Sequence, residues 1–571
     1  MNSNWRSMRL VAAVACVAII FAACGSSKSN GSKNTGGSTT TKAVAIVDGG
    51  TLTVGAEQEP DCFDWIDACG GSSWGSWMGQ YQTIPRAYDP IPQGGGVLKN
   101  VPSPLLTGEP TFSATPVETI TYSINPAAKW SDGTPITCDD FAYTADQVQN
   151  GKNIYDPTGY VDLAKVDCTD QAKPVVTYKA GKTFSGWKAL FGGGVGVLPS
   201  HILKGKDRDA LMKNGYTWSG GPWIAKWTKG DNITLTPNAN YWGKKPHLDS
   251  VVFKFEADTA AEFQAFKSNQ VQAIYPQPQI DVVDAIAKGL PNASTAYNSN
   301  TAYVEAFWLN NSKPLFSSKA VRQALGYAID RDAVVAQLFG KLGVKNPAQS
   351  VNPFAIQDYS DQQAFVGNKP DPAKVTSLME GDGWAKGSDG IWAKGGQKAS
   401  FALKTTEGNK RREITAQVVQ QELKTAGFAM SIVTRPAGDL FGQDLPGGDY
   451  DAALYASGLT ALIPGLCSQF CSKNIPGPKN GNSGQDWTRT NVPELDTKLD
   501  LVDTSLDAAA GMAAAKEGDK IMADNMVTLP LDPLPDILIW SKKIVGPVVD
   551  NSILGMFWNI NEWGCTGGVC A

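Results

Sequence analysis

Ten cysteines are the residues whose spacing most constrains the chemistry of this 571-residue chain. Cys16 and Cys24 lie close to the start. The other eight fall into four neighbouring pairs: Cys62 with Cys69, Cys138 with Cys168, Cys467 with Cys471, and Cys565 with Cys570. Close pairs in an even set read as local disulfides, which belong to an oxidising compartment. The competing chemistry is a zinc site, and it fails on ligand count. Cys467-Ser-Gln-Phe-Cys471 offers one close pair, and His201 and His247, the only two histidines, are far from it in sequence. No metal triad is present, and no nucleophile is found with a base to activate it. His201 follows Pro199-Ser200 and reads as packing near a helix start. No catalytic residue, metal or cofactor is therefore assigned.

The ends of the chain agree with export. Arg6 and Arg9 give a positive start, and Leu10 to Ala23 is an uncharged, largely apolar run of 14 residues. That is the length of a signal core and is short for a membrane span. Phe21-Ala22-Ala23-Cys24-Gly25 resembles a lipobox, with Phe21 where leucine is usual. The signal segment would be 1–24, ending at this lipobox, and Cys24 would carry the lipid. Residues 25–42 are almost wholly Gly, Ser, Thr, Asn and Lys. Such a segment cannot bury enough apolar surface to fold and reads as a flexible tether. No later stretch is long and apolar enough to cross a bilayer. The expected location is extracytoplasmic, held to the cell membrane by an N-terminal lipid.

Composition limits the rest. Some 529 residues follow the tether, which is too many for one core, so two or three subdomains are expected. A net charge of −5 gives no basic field, which argues against a nucleic-acid partner. Seventeen tryptophans are many; some must be core, but tryptophan also supplies flat apolar walls to ligand clefts.

Period-two alternation predicts strands at Thr51–Gly55, Thr119–Ile124 and Asn232–Thr236, with a further strand at Val251–Phe255. Lys129-Trp130-Ser131-Asp132-Gly133-Thr134-Pro135 reads as a turn, with Thr137 capping the helix that Phe141, Ala145 and Val148 continue. Glu57 to Tyr81 reads as a polar, Trp-bearing loop. Val321, Ala324, Leu325, Ala328 and Ile329 recur three and four apart, which predicts one amphipathic helix from Ser318 to near Gly340. Strands and helices are intermixed without repeats, so the class is α/β, mixed with α+β character.

Three segments carry a resemblance: KWSDGTPITCDDFAYT (129–144), GPWIAKWTKGDNITLTPNANYWGKKPHLDSVVFKF (221–255) and FSSKAVRQALGYAIDRDAVV (316–335). In this order and spacing they resemble the family 5 extracellular solute-binding proteins, the peptide- and nickel-type receptors of ABC importers. The resemblance implies a two-lobed, periplasmic-binding-protein-like fold of the large peptide-binding class. Lobe I would span 43–305, with an inserted subdomain at about 86–195; lobe II would span 306–524; and 525–571 would return to complete lobe I. Tyr303 to Asn310 would be one crossing strand, and the other would lie within Met526 to Ile539. The signature turns and the Arg322 helix are expected to be scaffold. His247 would sit in a structural turn. The implied partners are a small solute and a membrane permease, and the chain is expected to be a monomer.

The same resemblance places ligand contacts on facing walls. Ser72, Ser73, Trp74 and Trp77 would come from lobe I. Tyr455, Ser457 and Thr460 would follow the strand Tyr450–Leu454 in lobe II, and Trp487 is a further candidate. Peptide receptors of this family commonly place Gly-Trp and then an Asp there, to pair with the peptide ammonium. Here Ser457 holds the Trp position and Thr460 the Asp position. The ligand could then be a peptide held by its backbone, a solute without an ammonium, or one whose cation meets a carboxylate from elsewhere, such as Glu57 or Asp67. The altered position also permits a non-transport lipoprotein that uses the fold in envelope assembly or signalling.

Overall fold

The computed structural model describes residues 46–94, 97–298, 301, 303–351, 354–458, 463, 465–549 and 553–571. Cys24, the signal segment 1–24, the tether 25–42 and Thr460 lie outside the described residues. No helix among the described residues is long and apolar enough to cross a membrane.

Two sheets organise the chain. The first has seven strands in the order Ala293–Asn298, Asp536–Ser541, Ala273–Ile274, Thr51–Ala56, Ser250–Phe255, Asn232–Pro237 and Trp223–Thr228. The second has five, in the order Ala429–Arg435, Ser400–Thr406, Ala452–Gly458, Tyr303–Leu309 and Thr528–Pro533. Each mixes parallel and antiparallel pairs. The chain passes from one sheet to the other twice, between Asn298 and Tyr303 and between Pro533 and Asp536. The strand Tyr303–Leu309 is buried at all seven positions, as a strand covered on both faces must be.

A smaller four-stranded sheet orders Thr111–Ser113, Thr119–Thr121, Val175–Tyr178 and Leu163–Asp167. It carries the helix Cys138–Asn150. One buried carboxylate ties this region together. Asp140 Oδ2 accepts the Thr137 N–H at 3.0 Å and the Trp130 indole N–H at 3.2 Å, while Oδ1 accepts both the N–H and the hydroxyl of Ser200 at 2.7 Å. The Trp-Ser-Asp-Gly turn is therefore a structural joint. Arg322 is another: its guanidinium donates to the carbonyls of Phe316 at 2.7 Å and Asn525 at 2.9 Å.

All four expected cysteine pairs are joined as disulfides. Cys62 is bonded to Cys69, and Cys138, the first residue of its helix, is bonded to Cys168 just past the strand Leu163–Asp167. Cys467 is bonded to Cys471, and Cys565 to Cys570 close to the C-terminus. Cys168 and Cys570 thus serve the scaffold, and neither lines the cavity described below.

Three local expectations are corrected. Ser318–Gly340 is two helices, Lys319–Ala328 and Arg331–Phe339. Ile329 turns extended, and the Asp330 side chain accepts the Ala333 N–H, starting a new helix where the apolar spacing alone suggested continuity. The Glu57–Tyr81 loop contains a helical run over Ser73–Thr83, with a π turn at Ser76–Gln80. The strand expected at Tyr450–Leu454 lies at Ala452–Gly458, so Tyr455 and Ser457 sit on the strand and not in a loop after it.

Candidate functional site

A cavity of about 140 Å³ lies between elements of the two sheets. Ser72, Ser73, Trp74 and Trp77 line it from the first-sheet side. Tyr455, Ser457 and Trp487 line it from the second-sheet side. The segments chosen for opposite walls are thus brought to one space. The polar, loop-like sequence of the first is consistent with this, because a π turn widens a helix and re-aims its side chains.

The first wall is an aromatic cluster. Trp74 and Trp77 have ring centroids 5.6 Å apart, and Trp77 meets Tyr275 edge-on at 5.4 Å and Tyr303 at 5.9 Å. Gly555, at φ +78°, backs this cluster: a Cβ there would stand 2.3 Å from Trp77 Cγ. The Tyr303 hydroxyl donates to Ser73 Oγ at 3.2 Å, and the Ser72 hydroxyl donates to Gln58 Oε1 at 3.3 Å. On the second wall Tyr455 stacks on Trp308 at 4.9 Å, with Phe441 edge-on at 5.5 Å. The Ser457 hydroxyl donates to Gln469 Oε1 at 3.3 Å. Trp487 stands 6.3 Å from Tyr455 and 5.9 Å from Tyr155. Both walls offer apolar faces with a few fixed polar groups, which is the usual makeup of a small-molecule site.

Glu57 also lines the cavity. It is buried, and its Oε1 accepts the Trp74 indole N–H at 3.1 Å and a second bond from the Gln277 amide. Its Oε2 has no hydrogen-bond partner. Burial raises its pKa, against a lowering by Arg412, Trp74, Gln277 and Arg411. Arg412 lines the cavity too, but its guanidinium is committed to Glu305, at 2.8 Å to Oε1 and 3.2 Å to Oε2. Arg411 adds a 3.0 Å contact to Glu305 Oε2. Burial works to raise the Glu305 pKa, and the two guanidiniums outweigh it and hold the carboxylate well below its ordinary range. Asp67, the other carboxylate considered for a cation, does not line the cavity. It accepts the Cys69 N–H at 3.1 Å and lies 4.0 Å from Arg208.

Sequence reasoning missed Tyr155, Tyr275, Tyr303, Trp308 and Phe441 as cavity walls. Only Tyr303 and Trp308 carried a signal, as part of the expected crossing strand. Both histidines face carboxylates elsewhere: His201 Nε2 lies 2.8 Å from Asp132 and His247 Nδ1 lies 2.7 Å from Asp48. Among the described residues, one group could collect around a cation, Asp67, Cys69 and Asp209, and Cys69 is spent in a disulfide.

Residues 102–464 match the bacterial extracellular solute-binding proteins, family 5 Middle. The match covers more than half of the chain, and the chain belongs to this family. A Brucella ovis protein named for ABC-transporter peptide binding is 28% identical over 361 residues, 60% of this chain and 63% of that protein. The match thus spans slightly less than two thirds of that relative. The oligopeptide-binding protein AppA of Bacillus subtilis is 27% identical over 474 residues, 81% of this chain and 82% of AppA. The solved AppA structure, in complex with a nonapeptide, superposes with a TM-score of 0.80 at 21% identity, covering 91% of this chain and all of that one. NikZ of Campylobacter jejuni, in complex with Ni(L-His), gives 0.76 at 19% identity over 90% of this chain and 99% of its own. These superpositions establish the two-lobed fold. The family is one of bacterial extracellular solute-binding proteins, and the Brucella and Bacillus relatives are named for peptide binding.

Proposed function

We propose that this chain is the lipid-anchored receptor of an ABC importer, and that it binds a short peptide or another polar organic solute between its lobes for delivery to a membrane permease. The observation that carries this reading is the aromatic cavity with walls from both sheets and one buried carboxylate oxygen, Glu57 Oε2, left without a partner. A buried unpaired oxygen is costly, and a ligand ammonium would satisfy it. On this reading Glu57 does the work that an acidic residue at Thr460 would otherwise do.

The lobes would meet at the two crossings, with 43–305 and 525–571 on one side, 306–524 on the other, and an added subdomain at about 86–195. Ser72, Ser73, Trp74, Trp77, Tyr455, Ser457, Thr460 and Trp487 would form the contact walls. Cys24 would carry the lipid, the protein would act as a monomer, and neither nucleic acid nor a cofactor takes part. The names of the relatives favour a peptide over a metal chelate, and two histidines paired elsewhere give little to a bare metal ion.

Native mass spectrometry of the mature chain without its lipid tests the reading. A bound mass that is lost on denaturation, together with a ligand-dependent rise in melting temperature, is expected. A clean apo mass with no shift across a broad solute screen would overturn it. Loss of membrane retention in a C24S variant tests the anchor separately.

A further inference from the structure

Two of the four disulfides close short loops that reach the cavity. Cys62 and Cys69 are 7 residues apart, and Cys467 and Cys471 are 4 apart. Trp65 and Ile66 of the first loop line the cavity, and so does Gln469 of the second. Each of the three lies within three positions of a bonded cysteine. The other two bonds are placed differently. Cys565 and Cys570 are 5 residues apart, and nothing between them lines the cavity. Cys138 and Cys168 are 30 apart, and the cavity residues between them, Tyr155, Asp156, Thr158 and Tyr160, stand eight or more positions from either cysteine.

The second loop is a single helical turn, Cys467–Phe470. One turn alone fixes more backbone than its hydrogen bonds repay, and the bond to Cys471 closes it. The turn presents Gln469, whose Oε1 accepts the Ser457 hydroxyl at 3.3 Å, and Phe470, which stacks at 6.1 Å on the Trp308 ring that backs Tyr455. Its Ser468 carbonyl accepts the Gln485 N–H at 3.3 Å. Its Cys467 carbonyl accepts the Asn474 side-chain amide at 2.7 Å, and the Asn474 carbonyl accepts the Asp486 N–H at 3.0 Å. The segment that carries Trp487 therefore hangs on this turn. The first loop folds back on itself so closely that a Cβ on Gly70 would stand 2.5 Å from Trp65 Cα. Its Ile66 carbonyl accepts the Tyr155 N–H at 2.9 Å, and its Ala68 N–H donates to the Asn153 carbonyl at 2.7 Å. The two loops thus hold opposite members of one contact, because Tyr155 and Trp487 meet edge-on at 5.9 Å in the cavity wall. Gly71, two residues past Cys69, abuts both rings: a Cβ there would lie 3.3 Å from Trp487 Cη2 and 3.4 Å from Tyr155 Cε2.

We infer that Cys62–Cys69 and Cys467–Cys471 are positioning disulfides of the binding cavity. They hold Tyr155, Trp487 and Gln469 in place before the solute arrives, and their loss weakens capture more than it weakens the fold. This rests on the receptor reading and adds residues to its site. A disulfide stabilises a fold mainly by restricting the unfolded chain, and it does so least for short loops. At a cavity wall it has a second effect: side chains already held leave less for the ligand to order.

C467S/C471S and C565S/C570S form a matched pair, since their loops are nearly equal in length. Each is made in the full mature chain. Capture from a pool of synthetic pentapeptides is read by native mass spectrometry, beside the melting temperature. The two variants should lose similar stability. C467S/C471S should capture less by a factor of at least about ten, and C565S/C570S should capture as the unaltered chain does. C62S/C69S should follow C467S/C471S, and C138S/C168S, with the longest loop, should show the largest fall in melting temperature. Equal capture by the matched pair would overturn the inference and leave the receptor reading standing. So would a fall in melting temperature in C467S/C471S larger than that in C138S/C168S. Amide hydrogen exchange of the ligand-free chain gives a readout that needs no solute. The Gln485 N–H should exchange faster in C467S/C471S, and the Tyr155 N–H faster in C62S/C69S. Unchanged protection at both would overturn the inference. If the unaltered chain captured no peptide, the receptor reading would fall for peptides, and hydrogen exchange would decide the inference by itself.

Discussion

Glu57 and Glu305 are both buried carboxylates that feel the Arg412 guanidinium, and their pKa values move in opposite directions. Glu305 has both oxygens bonded to the forks of Arg411 and Arg412, so three charge-assisted hydrogen bonds outweigh its desolvation. Glu57 keeps one oxygen bare, and desolvation wins. Glu305 stands on a strand that crosses out of the first sheet, paired with Asp532 on the strand that crosses back. Its bonds tie the strand Tyr303–Leu309 to the helix Lys410–Ala426, which carries both arginines. Glu57 follows the first-sheet strand Thr51–Ala56 and faces the space between lobes. The difference separates a satisfied structural charge from one whose satisfaction is left to something else.

Breaking the Glu305 arrangement should have the largest effect. E305Q removes the carboxylate that is hydrogen-bonded to both buried guanidiniums, leaving Glu57 and Asp532 to act on them through charge alone, and removing one partner of a buried pair costs about 3–5 kcal/mol. Urea denaturation of the ligand-free chain should show a loss of that size. A loss below about 1 kcal/mol would place Glu305 among ordinary surface pairs and remove the contrast with Glu57.

The next effect is a pH slope of the opposite sign to the one Glu305 contributes. Glu305, with its folded pKa depressed, adds stability that is present above its unfolded value and is lost on acidification. Asp486 and Asp503 are raised to about 8 by burial, from 3.8. Between those values each is protonated when folded and ionised when unfolded. Raising the pH from 5 to 8 therefore favours unfolding, by at most about 1.4 kcal/mol per pH unit for each group. D503N should lose less stability than the unaltered chain over that interval. Parallel losses at pH 5 and pH 8 would show that Asp503 does not titrate as described.

How much of this is legible in the sequence follows from the same distinction between local and distant causes. The Trp130 turn, the Thr137 helix start and the four cysteine pairs are readable, because their partners are near in sequence or their residue types have few other uses. The break within Ser318–Gly340 is not, because Asp330 acts through one hydrogen bond to Ala333, which apolar spacing does not register. Trp74 and Trp77 can be nominated, but their partners Tyr275, Tyr303 and Phe557 are about 200 to 480 residues away. Glu57 can be named only as one option, since its role depends on Gln277 and Arg412 arriving from two other elements. Thr460 is the opposite case: its departure from the family pattern is plain, and what compensates for it is not.

An exposed pair supplies a control of smaller size. Asp132 accepts a bond at 2.8 Å from His201, with 47% and 29% of the two side chains accessible. The Asp132 carboxyl is lowered, its modest burial being outweighed by the Thr134 N–H and by His201. Exposed pairs contribute about 0–1 kcal/mol, so H201A should fall in that range in the same urea titration. A loss approaching that of E305Q would mean that burial is not what sets the scale.

The smallest effect on folding should come from E57Q, and that is the sharpest form of the comparison. A glutamine keeps an oxygen to accept from Trp74 and Gln277, and it replaces a bare, desolvated oxygen with a neutral amide. Stability of the ligand-free chain should change by less than about 0.5 kcal/mol, or rise, because a desolvated carboxylate oxygen without a hydrogen bond has been removed. Binding should behave in the opposite way. If Glu57 is the acidic anchor, affinity for a cationic ligand should fall by a factor of at least about ten, since the carboxylate and the ligand cation then no longer pair in a desolvated site. Measured side by side, E305Q would weaken the fold and E57Q would weaken the ligand complex with the fold intact. If E57Q destabilised the ligand-free chain as much as E305Q does, the unpartnered oxygen would belong to the scaffold, and the case for a cation between the lobes would lose its central residue.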